Sequence, residues 1–284
     1  MGVNGIGEYS DNYRRYANSI PGLRRKFFHL KRTEPLSLDD IRGMTPYGIA
    51  FAAGFPLFRT PAMARDYRLL IRRLMRVAPN QWFYEVPETH ISLNVTIRAD
   101  RRGYRYGPEG DKKEFYRRYL RVLESIHFSP FSLRLVGIYP NGIMLWKPVE
   151  NKDAIFRIRS RIDRGLMSEM RKHRKTGGGL FHFDSENGRP VMPGIIHTTF
   201  MRPIDREEYN RRFASLSAEI DKLNVRLARG EIFHEPLWVN EVVFMEEHWH
   251  GHERITACSE IPGCYGIEII ARRAKWRSLA SVSV

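Results

Sequence analysis

Cysteine is nearly absent from this chain of 284 residues: Cys258 and Cys264 are the only two. Two cysteines cannot build a disulfide framework, and their spacing does not match a metal site. Long apolar runs are missing as well. The longest, residues 48–58, falls short of the roughly 20 residues a bilayer-crossing helix needs, and the first residues carry no charged-then-apolar leader pattern. The expectation is a soluble, cytoplasmic protein with no membrane partner. The glycine-rich stretch from Thr176 has neither the Lys-Ser/Thr nor the preceding strand of a phosphate loop, and reads as a lid or linker. Acidic residues are also in short supply: 32 Asp and Glu face 47 Lys and Arg, a formal charge of +15. That imbalance calls for an anionic partner, RNA or a nucleotide before an anionic membrane surface. The remaining composition, 42% hydrophobic and 28% charged, is that of a globular chain.

Residues 1–45 form a basic, aromatic extension, with Tyr13-Arg-Arg-Tyr16 and Arg24-Arg-Lys-Phe-Phe28. They read either as a short helix and loop strapped across a core or as a nucleic-acid-binding arm. Residues 46–284 then repeat one pattern twice, dividing at about residue 150 into lobe one (46–150) and lobe two (151–284). In the first lobe, 48–58 reads as a buried central strand and Pro61 opens a helix. That helix has an apolar stripe of Tyr67, Leu70, Ile71, Leu74 and Met75. A second helix spans 112–126, and a hairpin turns at Pro140-Asn-Gly142. In the second lobe, helices span 153–173 and 205–229 on either side of a strand at 194–201. A hairpin joins 238–245 to 253–257, and 265–271 adds an edge strand. Each half reads helix, strand, helix, hairpin: an α+β chain whose two halves face each other across a cleft.

The most informative stretch runs from Glu88 to Ile97. Ile91, Leu93, Val95 and Ile97 point one way; His90, Ser92, Asn94 and Thr96 point the other. A strand face turned merely to water would carry Lys, Glu or Arg, whereas a row of small neutral hydrogen-bonding groups beside an imidazole suits a ligand. His197-Thr-Thr199 occupies the same slot in the second half. Ten histidines make about one His-x-Ser/Thr expected by chance, and His127-Phe-Ser129, at a helix end, is read as that accident. Position sets the other two apart.

With these two motifs, His90-Ile-Ser92 and His197-Thr-Thr199, the chain resembles the 2H phosphoesterase superfamily, which includes the LigT-type RNA 2′,3′-cyclic phosphodiesterases. The likeness of layout covers about residues 46–260. It implies a bilobal, two-fold pseudo-symmetric fold in which two antiparallel sheets line a central cleft with helices outside. It also implies a phosphodiesterase that needs no cofactor or metal, with His90, Ser92, His197 and Thr199 catalytic.

The chemistry supports this independently. In-line displacement at phosphorus needs a base for the incoming oxygen and an acid for the leaving one. Histidine, with a reference pKa of about 6.5, serves in either form near neutrality. Hydroxyls roughly 6–7 Å along the same faces can hold the non-bridging oxygens as charge shifts. Asn94 extends the His90 face, Tyr84 offers a ring for a base, and Arg202 offers a phosphate ligand. Two rival readings stand beside this one. His248, His250 and His252, alternating near a hairpin tip, have the residue types of a zinc site. Alternatively, the cleft binds RNA or a nucleotide without turnover.

Overall fold

The computed structural model describes residues 5–29, 48–54, 56–98, 109–175, 193–250 and 264–274. In chain order, the first half contains helix α1 (Gly5–His29), strand β1 (Gly48–Ala53), helix α2 (Pro61–Val77) and strand β2 (Trp82–Phe83). Strand β3 (Ile91–Arg98), helix α3 (Glu109–Glu124) and strands β4 (Phe131–Tyr139) and β5 (Ile143–Pro148) complete it. The second half contains helix α4 (Ala154–Lys175), strands β6 (His197–Thr199) and β7 (Met201–Arg202), and helix α5 (Arg206–Ala228). Strands β8 (Leu237–Val239), β9 (Glu241–His250) and β10 (Cys264–Ala274) follow. Among the described residues every strand pairing is antiparallel, giving sheets ordered β10-β9-β1-β3 and β6-β5-β4-β8 and a small pair β2-β7. No helix of the described residues is long and apolar enough to cross a membrane.

Local chemistry accounts for most boundaries. β1 is central, as expected, but ends at Ala53 rather than 58. Gly54 takes φ +62°, a conformation suited to a residue without Cβ, and the chain leaves the sheet while Leu57 and Phe58 stay buried. Thr60 Oγ1 accepts from the Met63 amide (3.2 Å) and Pro61 fills the first turn, so α2 starts where the sequence placed it. The β4–β5 hairpin turns at Gly142, φ +87°, whose amide donates to the Tyr139 carbonyl (3.0 Å).

Two expected strands are each divided in two. The run 194–201 breaks at Phe200, whose amide donates to the Gly142 carbonyl (2.8 Å). β6 stays on β5, and β7 turns to pair with β2. The run 238–245 breaks at Asn240, with β8 in one large sheet and β9 in the other. β9 pairs with β10, which forms the expected edge strand over a longer span; residues 253–257, the expected partner, lie outside the described residues. Each large sheet thus draws two strands from before residue 150 and two from after it. A division of the chain at that point does not separate one sheet from the other.

The core is continuous beneath both sheets. Phe51 of β1 and Phe244 of β9 stack on Tyr119 of α3 at 5.6 and 5.1 Å between centroids. The buried face of α2, with Tyr67, Leu70 and Leu74, shares that core. Helix α1 belongs to it too. Tyr16, Ile20 and Phe27 are buried, and Phe27 meets the edge of Tyr139 at 5.6 Å.

Candidate functional site

Among the described residues, both histidine motifs lie on sheet edges: β3 ends one large sheet and β6 ends the other. Along each, alternation sorts the side chains. Ile91 and Leu93 are buried while His90 and Ser92 are half-exposed. Thr198 is buried, its Oγ1 accepting from Trp146 Nε1 (3.0 Å), so His197 and Thr199 turn to the other face and are half-exposed. The two edges meet, with Cα atoms of β3 and β6 within 8 Å of one another.

Three devices hold that approach. The first is Arg159 on α4, whose terminal nitrogen donates both to the Ser92 carbonyl (3.1 Å) and to the Ile195 carbonyl (2.9 Å). One guanidinium thereby ties the backbone of the first motif to the approach of the second. It is only 6% exposed, and burial pulls its pKa down from 12.5 to about 10, the nearby Tyr16 working the other way. The second is Tyr16 of α1. Its hydroxyl donates to the Trp146 carbonyl (2.5 Å) and accepts from the Ile196 amide (3.3 Å), beside His197, and burial raises its pKa. The third is the β2–β7 pair. Trp82 is opposite Arg202 and Phe83 opposite Met201, and the Tyr84 amide donates to the Phe200 carbonyl (3.0 Å). The segment leading into the first motif is thereby zipped to the segment leaving the second.

His90 follows a 3-10 turn at Val86–Glu88, and its Nδ1 lies 3.1 Å from the Glu88 carbonyl. A carbonyl only accepts, so Nδ1 carries the proton in that bond. Nε2 then holds the lone pair of the neutral ring. His197 has its Nδ1 shielded from solvent. Arg202 Nε bonds the Tyr84 hydroxyl, and its guanidinium lies 5.8 Å from the Tyr84 ring centroid.

Not every expected residue opens on this site. Tyr84 is 3% exposed and underlies Arg202, so in this conformation it supports the arginine and offers no ring for a base. Asn94 is 0% exposed; β3 lies against α4, and its polar face is open at His90 and Ser92 but closed by Asn94. His127 lies outside any strand, exposed after α3. His248 and His250 belong to β9, their backbones opposite Gly266 and Cys264. Their side chains, His252 and the glycine-rich stretch at 176–188 lie outside the described residues.

Arg159 and Tyr16 were not anticipated. Arg159 had a signal: it falls in the middle of the α4 stripe of Ile155, Ile158, Ile162 and Leu166, all buried, where a charge needs a partner. A buried polar knot was also unforeseen. Gln81 Nε2 donates to Glu208 (2.8 Å) and Gln81 Oε1 accepts from the Ile204 amide (3.0 Å). The knot joins the end of α2 to the start of α5.

No protein-family model and no curated protein matches the sequence. Among solved structures the chain is similar to LigT of E. coli complexed with 3′-AMP (11% identity, TM-score 0.42, 82% of this chain and 99% of that one). It is also similar to a phosphoesterase (10%, 0.39, 82% and 100%). A conserved protein of unknown function from Agrobacterium tumefaciens gives 17% identity and TM-score 0.43 over 70% of this chain and 79% of that one.

Proposed function

We propose that this protein is a metal-independent phosphoric diester hydrolase acting on a nucleotide-type substrate: a 2′,3′-cyclic phosphate, an RNA end or a cyclic oligonucleotide. His90 and His197 form the acid–base pair, and Ser92 and Thr199 are the hydroxyl ligands. They work in a cleft between facing, pseudo-symmetric sheets. The observation that supports this most is the meeting of two sheet edges that each turn an imidazole and a hydroxyl outward, roped together by one buried guanidinium. In the reaction, one imidazole takes the proton of a water as its oxygen bonds to phosphorus. The other, protonated at the outset, gives its proton to the ester oxygen as that P–O bond breaks. Ser92 and Thr199 donate to the non-bridging oxygens, and Arg202, steadied on Tyr84, faces their charge. The proton arrangement of His90 suits the base, with Nε2 as the receiving atom.

The test is incubation with a panel of 2′,3′-cyclic nucleotides and short oligonucleotides, product ends being identified by mass. Turnover is expected to persist in EDTA. His90→Ala and His197→Ala are each expected to lower kcat by about 10²–10⁴-fold. A wild-type protein that cleaves none of these substrates, or two variants that cleave as well as it does, overturns the proposal and leaves a binding protein.

A further inference from the structure

Helix α2 carries five arginines and one acidic residue, and that acid is spent internally. Asp66 is buried and accepts from the Phe233 amide (2.9 Å), with Arg65 at 3.6 Å. Arg73 is paired sideways with Glu219 of α5 (2.6 Å). Arg68, Arg72 and Arg76 remain, all exposed. Their spacing of four and four residues sets them in one row about 12 Å long, within about 80° of the helix circumference. Among the described residues Arg68, Arg72 and Arg76 have no ion pair or hydrogen bond. The opposite face of α2 is committed to the core, and it holds the run into the first motif: Tyr67 donates to the Tyr84 carbonyl (2.9 Å).

We infer that this row is a docking surface for the backbone of a single nucleic-acid strand, outside the histidine cleft. A regular line of unpartnered guanidinium groups matches a polymer with one charge per repeat, and the protein's +15 charge draws such a polymer in. A lipid surface fits less well. Amphipathic helices that lie on membranes insert an apolar face, but that of α2 is buried, and only Leu69, 38% exposed, stands beside the row. An acidic protein fits less well too, because the row lacks the aromatic anchors on which protein interfaces depend. Contacts to phosphates carry no base preference, so RNA and DNA strands of any sequence should bind alike. The surface needs no hydrolysis to operate.

The experiment titrates a dye-labelled single-stranded oligoribonucleotide by fluorescence anisotropy across about 50–200 mM salt. Three proteins are compared: wild type, Arg68→Ala/Arg72→Ala/Arg76→Ala, and a control of equal charge loss, Arg134→Ala/Lys147→Ala/Lys152→Ala. Each released phosphate contact removes about 0.7 from the slope of log K on log salt. The α2 variant should therefore show a slope shallower by about 2, its binding deficit growing by about 10–20-fold from 200 to 50 mM salt, while the same positions changed to Lys keep the slope. Unchanged binding by the α2 variant overturns the inference, as does an equal loss in the control. Loss of binding to phosphatidylserine vesicles with RNA binding intact also overturns it. Cleavage of a cyclic mononucleotide should be untouched by the α2 changes, so failure here and failure of the two-histidine proposal are read separately.

Discussion

Gly142 shows how much one backbone position carries. It sits at φ +87°, and a Cβ there would overlap the Met201 carbonyl oxygen. Its own carbonyl receives the amides of Phe200 and Met201 (2.8 and 3.3 Å), docking the chain just after Thr199. Gly142→Ala is expected to lose at least about 1–3 kcal/mol, read from the urea midpoint, and, if the two-histidine proposal holds, to lower turnover as Thr199 shifts. An unchanged midpoint would mean the segment yields freely. The buried phenols govern alkaline stability. Burial raises Tyr139 from 10.0 to about 12 and raises Tyr16 as well. Unfolded tyrosines ionise first, so the folded state binds more protons and stability falls as pH climbs through 10 toward 12. Arg159, lowered to about 10, works the other way over that window, one guanidinium against two phenols. The urea midpoint is expected to drop there, and to drop less steeply in Tyr16→Phe. An identical pH slope in that variant would show that Tyr16 is not the source.

Among elements, α4 bears directly on the candidate site, because Arg159 donates to the Ser92 carbonyl of β3 and to the Ile195 carbonyl just before β6. Arg159→Met keeps the apolar stripe but strips the Ser92 and Ile195 carbonyls of their donor, an expected loss of about 1–3 kcal/mol for each. If the two-histidine proposal holds, kcat of the folded fraction should fall with KM little changed, and Arg159→Lys should restore part of it. A methionine variant as active and as stable as wild type would remove Arg159 from the positioning role. Helices were legible in the sequence because the stripes Tyr67, Leu70, Leu74 and Ile155, Ile158, Ile162 mark one buried side each. The strand breaks at Phe200 and Asn240 were not. Alternation tells which face is buried but not which sheet supplies the partner, and both runs keep their rhythm while changing sheets.

For the molecule as a whole, the first helix is not an appendage. A chain lacking residues 1–29 would uncover the pocket filled by Tyr16, Ile20 and Phe27 and strip the hydrogen-bond partner from Ile196. Losing three buried side chains at about 1.5–3 kcal/mol each is comparable to a domain's entire stability of about 5–15 kcal/mol. Loss of cooperative thermal unfolding is therefore expected by calorimetry. A truncated protein melting like the full chain would show α1 to be dispensable.

The sequence alone determined that the chain would be α+β, and that His90 and Ser92 would share one strand face and His197 and Thr199 another. Those follow from local rules: a period of two in strands, 3.6 in helices, and side-chain chemistry. Only the tertiary structure decided that strands β3 and β6 approach each other, because the approach depends on contacts remote in sequence. Arg159 reaches Ser92 and Ile195, Tyr16 reaches Trp146 and Ile196, and Trp82 lies opposite Arg202. Asn94 and Tyr84 were closed off for the same reason, since exposure is set by what packs on a face and not by the pattern that creates it.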